Sequence, residues 1–408
     1  MMKITTILKR GLFCLIVIGF TIQLPSLGGE SFFYKHKTGD KYRILSTVYE
    51  EVYLNRRLSH RAEILNRIAV EVKDIRNDVA RHEALFQTAE RAQGVGGGQS
   101  FQWAREYESC FGRNPQGFIT IDSKFFMPVV RNVPVFLGQD LNPGDTWSAE
   151  GHEMHDFRDS FGITEPYRIP FTAHYTFLGR RQWRGKDYPA FSVSYRIFTE
   201  PPPARGTLWP RRIMGASDQI VYWDTELGQA AAYNEVFRMV FELSNGNTVE
   251  YRGSAEAEII ESPEMDKERI AREIGDAIRR MGITDTSVRI VDEGISINLE
   301  NIQFQPDSAE LLPVEKVKLD QITTVLQKYG ERDILVGGHT ALAGGEADRM
   351  ALSRERAAAV ADYLIEKKAR PSDRIVVRGY GAEQPLEDNN TEAGRRRNRR
   401  VEIIILEN

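Results

Sequence analysis

Between residues 30 and 260 apolar side chains return at every second position, and after Pro263 they return every third or fourth. That change of period constrains the fold more than any other feature. A period of two sets alternate side chains on opposite faces of an extended strand, and a period near 3.6 draws a stripe along a helix. Phe171, Ala173, Tyr175 and Phe177 share one face of a strand in this reading, and Phe191, Val193, Tyr195 and Ile197 share one face of another. The segments KYRILSTVYEEVYL and AEILNRIAVEVKDI read as long strands, and Asn245-Gly246 supplies a hairpin turn where positive φ is cheap. The runs at 94–100 (GVGGGQS) and 200–210 (EPPPARGTLWP) read as loops. Residues 30–262 are therefore expected to form an antiparallel β-rich region, either whole or as two subdomains dividing between residues 100 and 135.

Beyond Pro263 the segment EMDKERIAREIGDAIRRMG places Ile270, Ile274 and Ile278 on one helix face and stops at Gly282. With the short strand that follows, it makes a linker module over 263–293. From Gly294 onward strands and helices alternate. GISINL is a strand, and the next helix carries Leu319, Ile322, Leu326 and Tyr329 on one side. DILVGG is a strand, Glu346 to Lys368 a second helix, and RIVVRGYG and RRVEIIIL are strands. The order βαβαββ predicts helices on one face of a mixed sheet, and the whole chain reads as α+β.

Lys3, Lys9 and Arg10 precede an apolar run from Gly11 to Leu24, followed by PSLGG. This is the pattern of a secretory signal over residues 1–29, with an uncleaved N-terminal anchor as the alternative. Cys14 lies inside the apolar run, which disfavours a lipoprotein. Only Cys110 remains beyond it, so an internal disulfide is excluded. A formal net charge of -4 argues against a general nucleic-acid binder.

Five ordered segments in the last quarter carry a resemblance: IQFQPDSAELLP, VGGHTALAGG, ALSRERAAAVADYLI, RIVVRGYGAEQP and NNTEAGRRRNRRVEIII. Together they resemble the OmpA-like C-terminal domain, which holds proteins on bacterial peptidoglycan, over residues 294–408. The resemblance implies non-covalent recognition of the peptide stem, chiefly of a diamino acid such as diaminopimelate. Its free end is a zwitterion, so a site for it needs a fixed anion and a fixed cation a few ångströms apart. The family places an aspartate after a His-Thr pair and an arginine on the following helix.

In this chain the pair is His339-Thr340, the aspartate position is Ala341, and the arginine is Arg356. The family asparagine four residues before the serine of the Leu352-Ser353 pair is Arg349 here. Arg349, Ser353 and Arg356 share a helix face. Arg349 either faces the ligand or pairs with Glu346 on the helix surface. Asn398 and Arg399, in the stretch before the last strand, are expected at the pocket wall, and Arg400 in structural ion pairs. With an anion lost and a cation gained, diaminopimelate recognition is expected to be weak or altered.

The resemblance implies a periplasmic location, attached to the inner or the outer membrane. Its partner would be peptidoglycan, with envelope proteins or the outer membrane as further partners and no nucleic acid. No cofactor is expected. Three further readings stay open: an envelope interaction protein that has lost wall binding, an outer-membrane β-barrel carrying a periplasmic OmpA-like domain, and a periplasmic hydrolase using the β region, which no motif supports. His152, His155, Asp156 and Asp159 lie close in sequence, but their spacing lacks the helical geometry of a zinc site. No nucleophile or phosphate-loop motif appears, so a non-enzymatic role is expected.

Overall fold

The structure is a computed structural model that describes residues 29–93, 99–203, 208–261, 265–300, 302, 304 and 309–407. The expected signal or anchor, and the central parts of the two expected loops (94–98 and 204–207), lie outside the described residues.

A two-residue strand β1 (Glu30–Ser31) precedes the first long meander, β2 (Lys41–Leu54), β3 (Arg57–Arg76), β4 (Val79–Gln93) and β5 (Phe101–Arg113). The connections between β2 and β3 and between β3 and β4 are two residues long. Asn55, Arg56, Asn77 and Asp78 all hold positive φ there, between 49° and 68°. This turn geometry matches the right-handed twist of the flanking strands. Short pieces follow, β6 (Ile119–Ile121), β7 (Val130–Arg131) and β8 (Asp140–Leu141), before β9 (Thr146–His155) and the single-turn α1 (Arg158–Phe161). A second meander runs through β10 (Tyr167–Trp183), β11 (Lys186–Thr199), β12 (Pro210–Asp224), β13 (Gln229–Leu243) and β14 (Thr248–Glu261), with the expected hairpin around Asn245-Gly246.

The two meanders are one sheet. β14 returns to pair antiparallel with β2, from Val249 opposite Leu54 to Glu261 opposite Tyr42. Strands from both sides of residues 100–135 therefore lie in the same array. The sheet curls into a barrel closed across its short strands. β6 pairs with β5, β7 pairs with β9, and the Ile119 N–H donates to Asn132 Oδ1 at 2.8 Å between them. One end is filled by an aromatic core that includes Phe32, Phe136, Trp147, Phe177, Phe191 and Trp223. Phe32 meets Phe191 edge-on at 4.7 Å, and Phe136 meets Trp223 at the same separation.

The second part begins with α2 (Lys267–Met281), whose first turn is capped by the Asp266 side chain accepting from the Arg269 N–H. Then come β15 (Thr286–Val291), β16 (Gly294–Glu300), α3 (Pro313–Leu326), β17 (Ile334–Gly338), α4 (Glu346–Glu366), β18 (Ile375–Gly379), α5 (Glu392–Asn398) and β19 (Arg400–Leu406). The expected βαβαββ order is present, with the short α5 inserted before the last strand. The sheet order is β15-β16-β19-β17-β18, parallel only between β17 and β18. Ile274 and Ile278 of α2, Leu319 and Ile322 of α3 and Val360 and Leu364 of α4 pack on Ile295, Ile297, Val336, Val377 and Ile403. The helix at 267–281 thus shares this core.

A two-layer sandwich leaves one sheet face uncovered. Here Leu335, Val376, Ile404 and Leu406 on that face are buried against Leu65, Ala89 and Phe101 of the barrel. The edge strand β18 adds in parallel to β5, with Val376 opposite Phe101. Asp333 at the start of β17 meets Arg67 at 3.0 Å, Arg374 at 2.7 Å and Arg43 at 3.8 Å; Arg43 and Arg67 come from the barrel.

Candidate functional site

The site expected from sequence lies at the C-terminal ends of β17 and β18, where α4 begins. Glycines bring the helix close. A Cβ on Gly338 would lie 1.9 Å from the Ser353 carbonyl oxygen, and one on Gly379 would lie 2.7 Å from Ser353 Oγ. Ser353 is fully buried, donates to the Met350 carbonyl at 2.9 Å and accepts from the Gly381 N–H at 3.0 Å. It fastens α4 to the β18 exit loop and is unavailable to a ligand.

His339 is buried and stacked on Tyr380 with ring centroids 4.8 Å apart. Its Nε2 lies 3.4 Å from Glu402. Burial lowers its pKa, and the Glu402 carboxylate opposes that only in part. The imidazole is therefore a neutral packing element beneath the loop. Thr340 is buried as well, and its N–H donates to the Gly381 carbonyl at 2.7 Å. Ala341 is 5% exposed. The next N–H, of Leu342, donates to Asn389 Oδ1 at 3.0 Å.

Arg349 donates to the Gly344 carbonyl, closing the 341–345 loop onto the first turn of α4. Among the described residues it makes no ion pair with Glu346, and its guanidinium is spent on the loop instead of the surface pair. Leu352 is half-buried. Arg356 is half-buried with its guanidinium over the Phe304 ring at 5.0 Å. Its Nε is buried and without an acceptor among the described residues. Burial lowers its pKa, and Arg399 lowers it further. Neither Arg349 nor Arg356 has a carboxylate within 4 Å among the described residues.

Asn398 is fully buried and works as a bracket. Its Oδ1 accepts from the N–H groups of Leu386 (2.7 Å) and Glu387 (3.0 Å), and its Nδ2 donates to the Glu387 carbonyl and to Asn389. Arg399 pairs with Glu392 at 3.1 Å, and Arg400 is buried on Glu402 and the Gln384 carbonyl. Three participants went unread in the sequence: Tyr380 under His339, Asn389 between the two loops, and Phe304 under Arg356. Each lies in or beside a segment that carried the resemblance.

The OmpA family pattern matches residues 303–399. These residues are an OmpA family domain. Over 104 residues the chain is 35% identical to the peptidoglycan-binding protein ArfA of Mycobacterium tuberculosis, covering 26% of this chain and 32% of that protein. It is 40% identical over 103 residues to outer membrane protein A of Bordetella avium, covering 25% of this chain and 53% of that one. The chain thus spans about a third to a half of the length of these relatives. Among solved structures, the cell wall anchor of the T6SS from Pseudomonas aeruginosa is 26% identical with a TM-score of 0.30, covering 35% of this chain and 99% of that one.

The histidine-rich stretch at 152–159 is occupied internally. His155 Nε2 lies 2.7 Å from Glu153, and Asp156 binds Arg158 and Tyr107. Among the described residues no group of three potential ligands could hold a metal ion. No described helix is long and apolar enough to cross a membrane.

Proposed function

We propose that this chain is a non-enzymatic envelope protein of the periplasm that associates with peptidoglycan through its OmpA family domain, taking residues 294–408 as that unit, 263–293 as its linking module and 30–262 as a β-rich region with its own task. The observation that carries the reading is Arg356. A half-buried guanidinium steadied by an aromatic face, with no carboxylate within 4 Å among the described residues, is ready for an external one, and its planar fork suits a carboxylate with two bonds. Arg349 stands one helical face-repeat earlier with no carboxylate partner among the described residues. Ala341 offers no anion for an ammonium. The pocket therefore favours the carboxylate of a stem peptide over a zwitterionic diamino acid.

Two observations bear on the other readings. The position expected to bind an ammonium is a buried methyl, which favours an envelope interaction protein without wall binding. The outward positions of the barrel carry Arg196, Asp218, Arg238, Glu250, Arg252 and Glu256, joined in ion pairs. A lipid-facing barrel needs an apolar outer band, so the membrane-spanning reading is disfavoured.

Sedimentation with purified diaminopimelate-type sacculi tests the proposal. Saturable co-sedimentation is expected, weakened about ten-fold or more in Arg356→Ala. Ala341→Asp should strengthen it about ten- to a hundred-fold, since it restores one charge-assisted contact. Wild-type protein that stays in the supernatant at every concentration would reject wall association and leave the interaction reading.

A further inference from the structure

The barrel is hollow at one level. A cavity of about 340 Å³ lies between β2, β3 and β4 on one side, β12, β13 and β14 on the other, and the 127–134 segment. This is large enough for a small organic ligand. Its wall is mainly apolar, from Ile44, Ile68, Phe86, Val130, Val221 and Ile259. The space is partly open to solvent, so a ligand can enter it without opening the strands around it.

The polar groups on the wall differ in how they are committed. Glu235 is held by Ser217 Oγ at 2.6 Å and Gln219 Nε2 at 3.3 Å, and burial raises its pKa. His36 and its neighbour His82, 4.6 Å away, are pushed to about 4 and about 3, by burial first and the Arg113 charge next, so both are neutral at neutral pH. Arg113 is different. Its guanidinium lies over the Tyr34 ring at 4.7 Å and over Phe111 at 5.5 Å, and its Nε is buried without an acceptor. Among the described residues no carboxylate comes within 4 Å of it. One uncompensated cation at the wall of an apolar cavity can balance one negative charge. A dianion there would bury a second charge without a partner.

We propose that the barrel cavity binds a medium-chain carboxylate amphiphile, its carboxylate on Arg113 and its chain along Ile44, Ile68, Phe86, Val221 and Ile259. This assignment is independent of the wall-binding reading, since it involves no residue of the OmpA family domain.

Calorimetric titration of the purified full-length protein with sodium decanoate, sodium octanoate, 1-decanol and sodium phosphate tests it. Decanoate should bind saturably at one site. Octanoate, two methylenes shorter, should bind about fifteen-fold more weakly, since each methylene is worth about a four-fold change. Decanol should be at least ten-fold weaker than decanoate, and phosphate should give no saturation. Arg113→Gln should lose about ten-fold or more of the decanoate affinity and Arg113→Lys should recover part of it. Ala230→Phe, which intrudes on the cavity wall, should abolish binding with the thermal transition retained. Unchanged affinity in Arg113→Gln, equal binding of decanol, phosphate binding as tight as decanoate, or no saturable decanoate binding would each overturn the assignment.

Discussion

Asp333 is buried among Arg43, Arg67 and Arg374, two of which reach it from the barrel. Burial alone would raise its pKa, yet the guanidinium groups prevail and hold it below the usual carboxylate range. A depressed carboxylate contributes stability that is present above its unfolded pKa and lost as the pH falls through its folded one. Its contribution should therefore begin to fall below about pH 4, where the carboxylate takes a proton in the unfolded chain before it does in the folded one, and acid unfolding should follow at lower pH. Asp333→Asn leaves two buried guanidinium groups without a counter-charge and should cost about 3–5 kcal/mol in urea denaturation at pH 7. Glu50 has the opposite sign. Burial first, and Glu90 next, push its pKa up to about 7. Its protonated form is the one the fold tolerates, so stability is fully present below about pH 4.5 and is lost as the pH rises towards 7. Glu50→Gln should raise the melting temperature at pH 8 and leave it nearly unchanged at pH 4.5. An equal effect at both pH values would contradict this account.

At the scale of elements, α4 is positioned by what is missing from the strands beneath it. Gly338 and Gly379 carry no side chain where Ser353 crosses. Their backbone is ordinary, and the requirement is for space. Gly338→Ala should destabilise by about 1–3 kcal/mol or more, measured by thermal or urea unfolding, because the helix must move away from β17. The shift would also carry Arg349 and Arg356, so a wall-binding assay on this variant should show loss out of proportion to the stability change. The 341–345 loop is held from its other side by Asn389 and Asn398. Two elements far apart in sequence thus fix one glycine-rich loop.

For the whole molecule, the decisive contact is the barrel against the open face of the second sheet. Leu335, Val376, Ile404 and Leu406 are each under 5% exposed there. Residues 263–408 expressed without the barrel would present this apolar face to water, together with the unpaired edge of β18. They should bind a hydrophobic dye strongly and associate at micromolar concentration, whereas the full chain should not. A soluble monomeric fragment with weak dye binding would show that the two parts are only loosely joined. Hydrogen exchange offers a second check: the amides of residues 376 and 377 should be protected in the full chain to the level of the barrel strands.

Much of this was legible in residues alone. The two-residue period of 171–177 and 191–197 marks strands, the spacing of Ile270, Ile274 and Ile278 marks α2, and the five ordered segments mark the OmpA family domain, because local geometry and side-chain polarity act within a few residues. The sequence also flags Ala341, Arg349 and Arg356 as departures from, or matches to, the family pattern. It does not say that Arg349 bonds Gly344, that His339 lies buried under Tyr380, or that Asn398 is a bracket for a neighbouring loop. Nor does it close β14 onto β2, leave a cavity beside Arg113, or set three arginines around Asp333. Those outcomes depend on groups far apart in the chain; Arg67 and the Asp373 carbonyl it donates to, for example, are 306 residues apart. Which distant partner satisfies a buried charge, and which apolar face covers another, is decided only when the folded chain removes both from water.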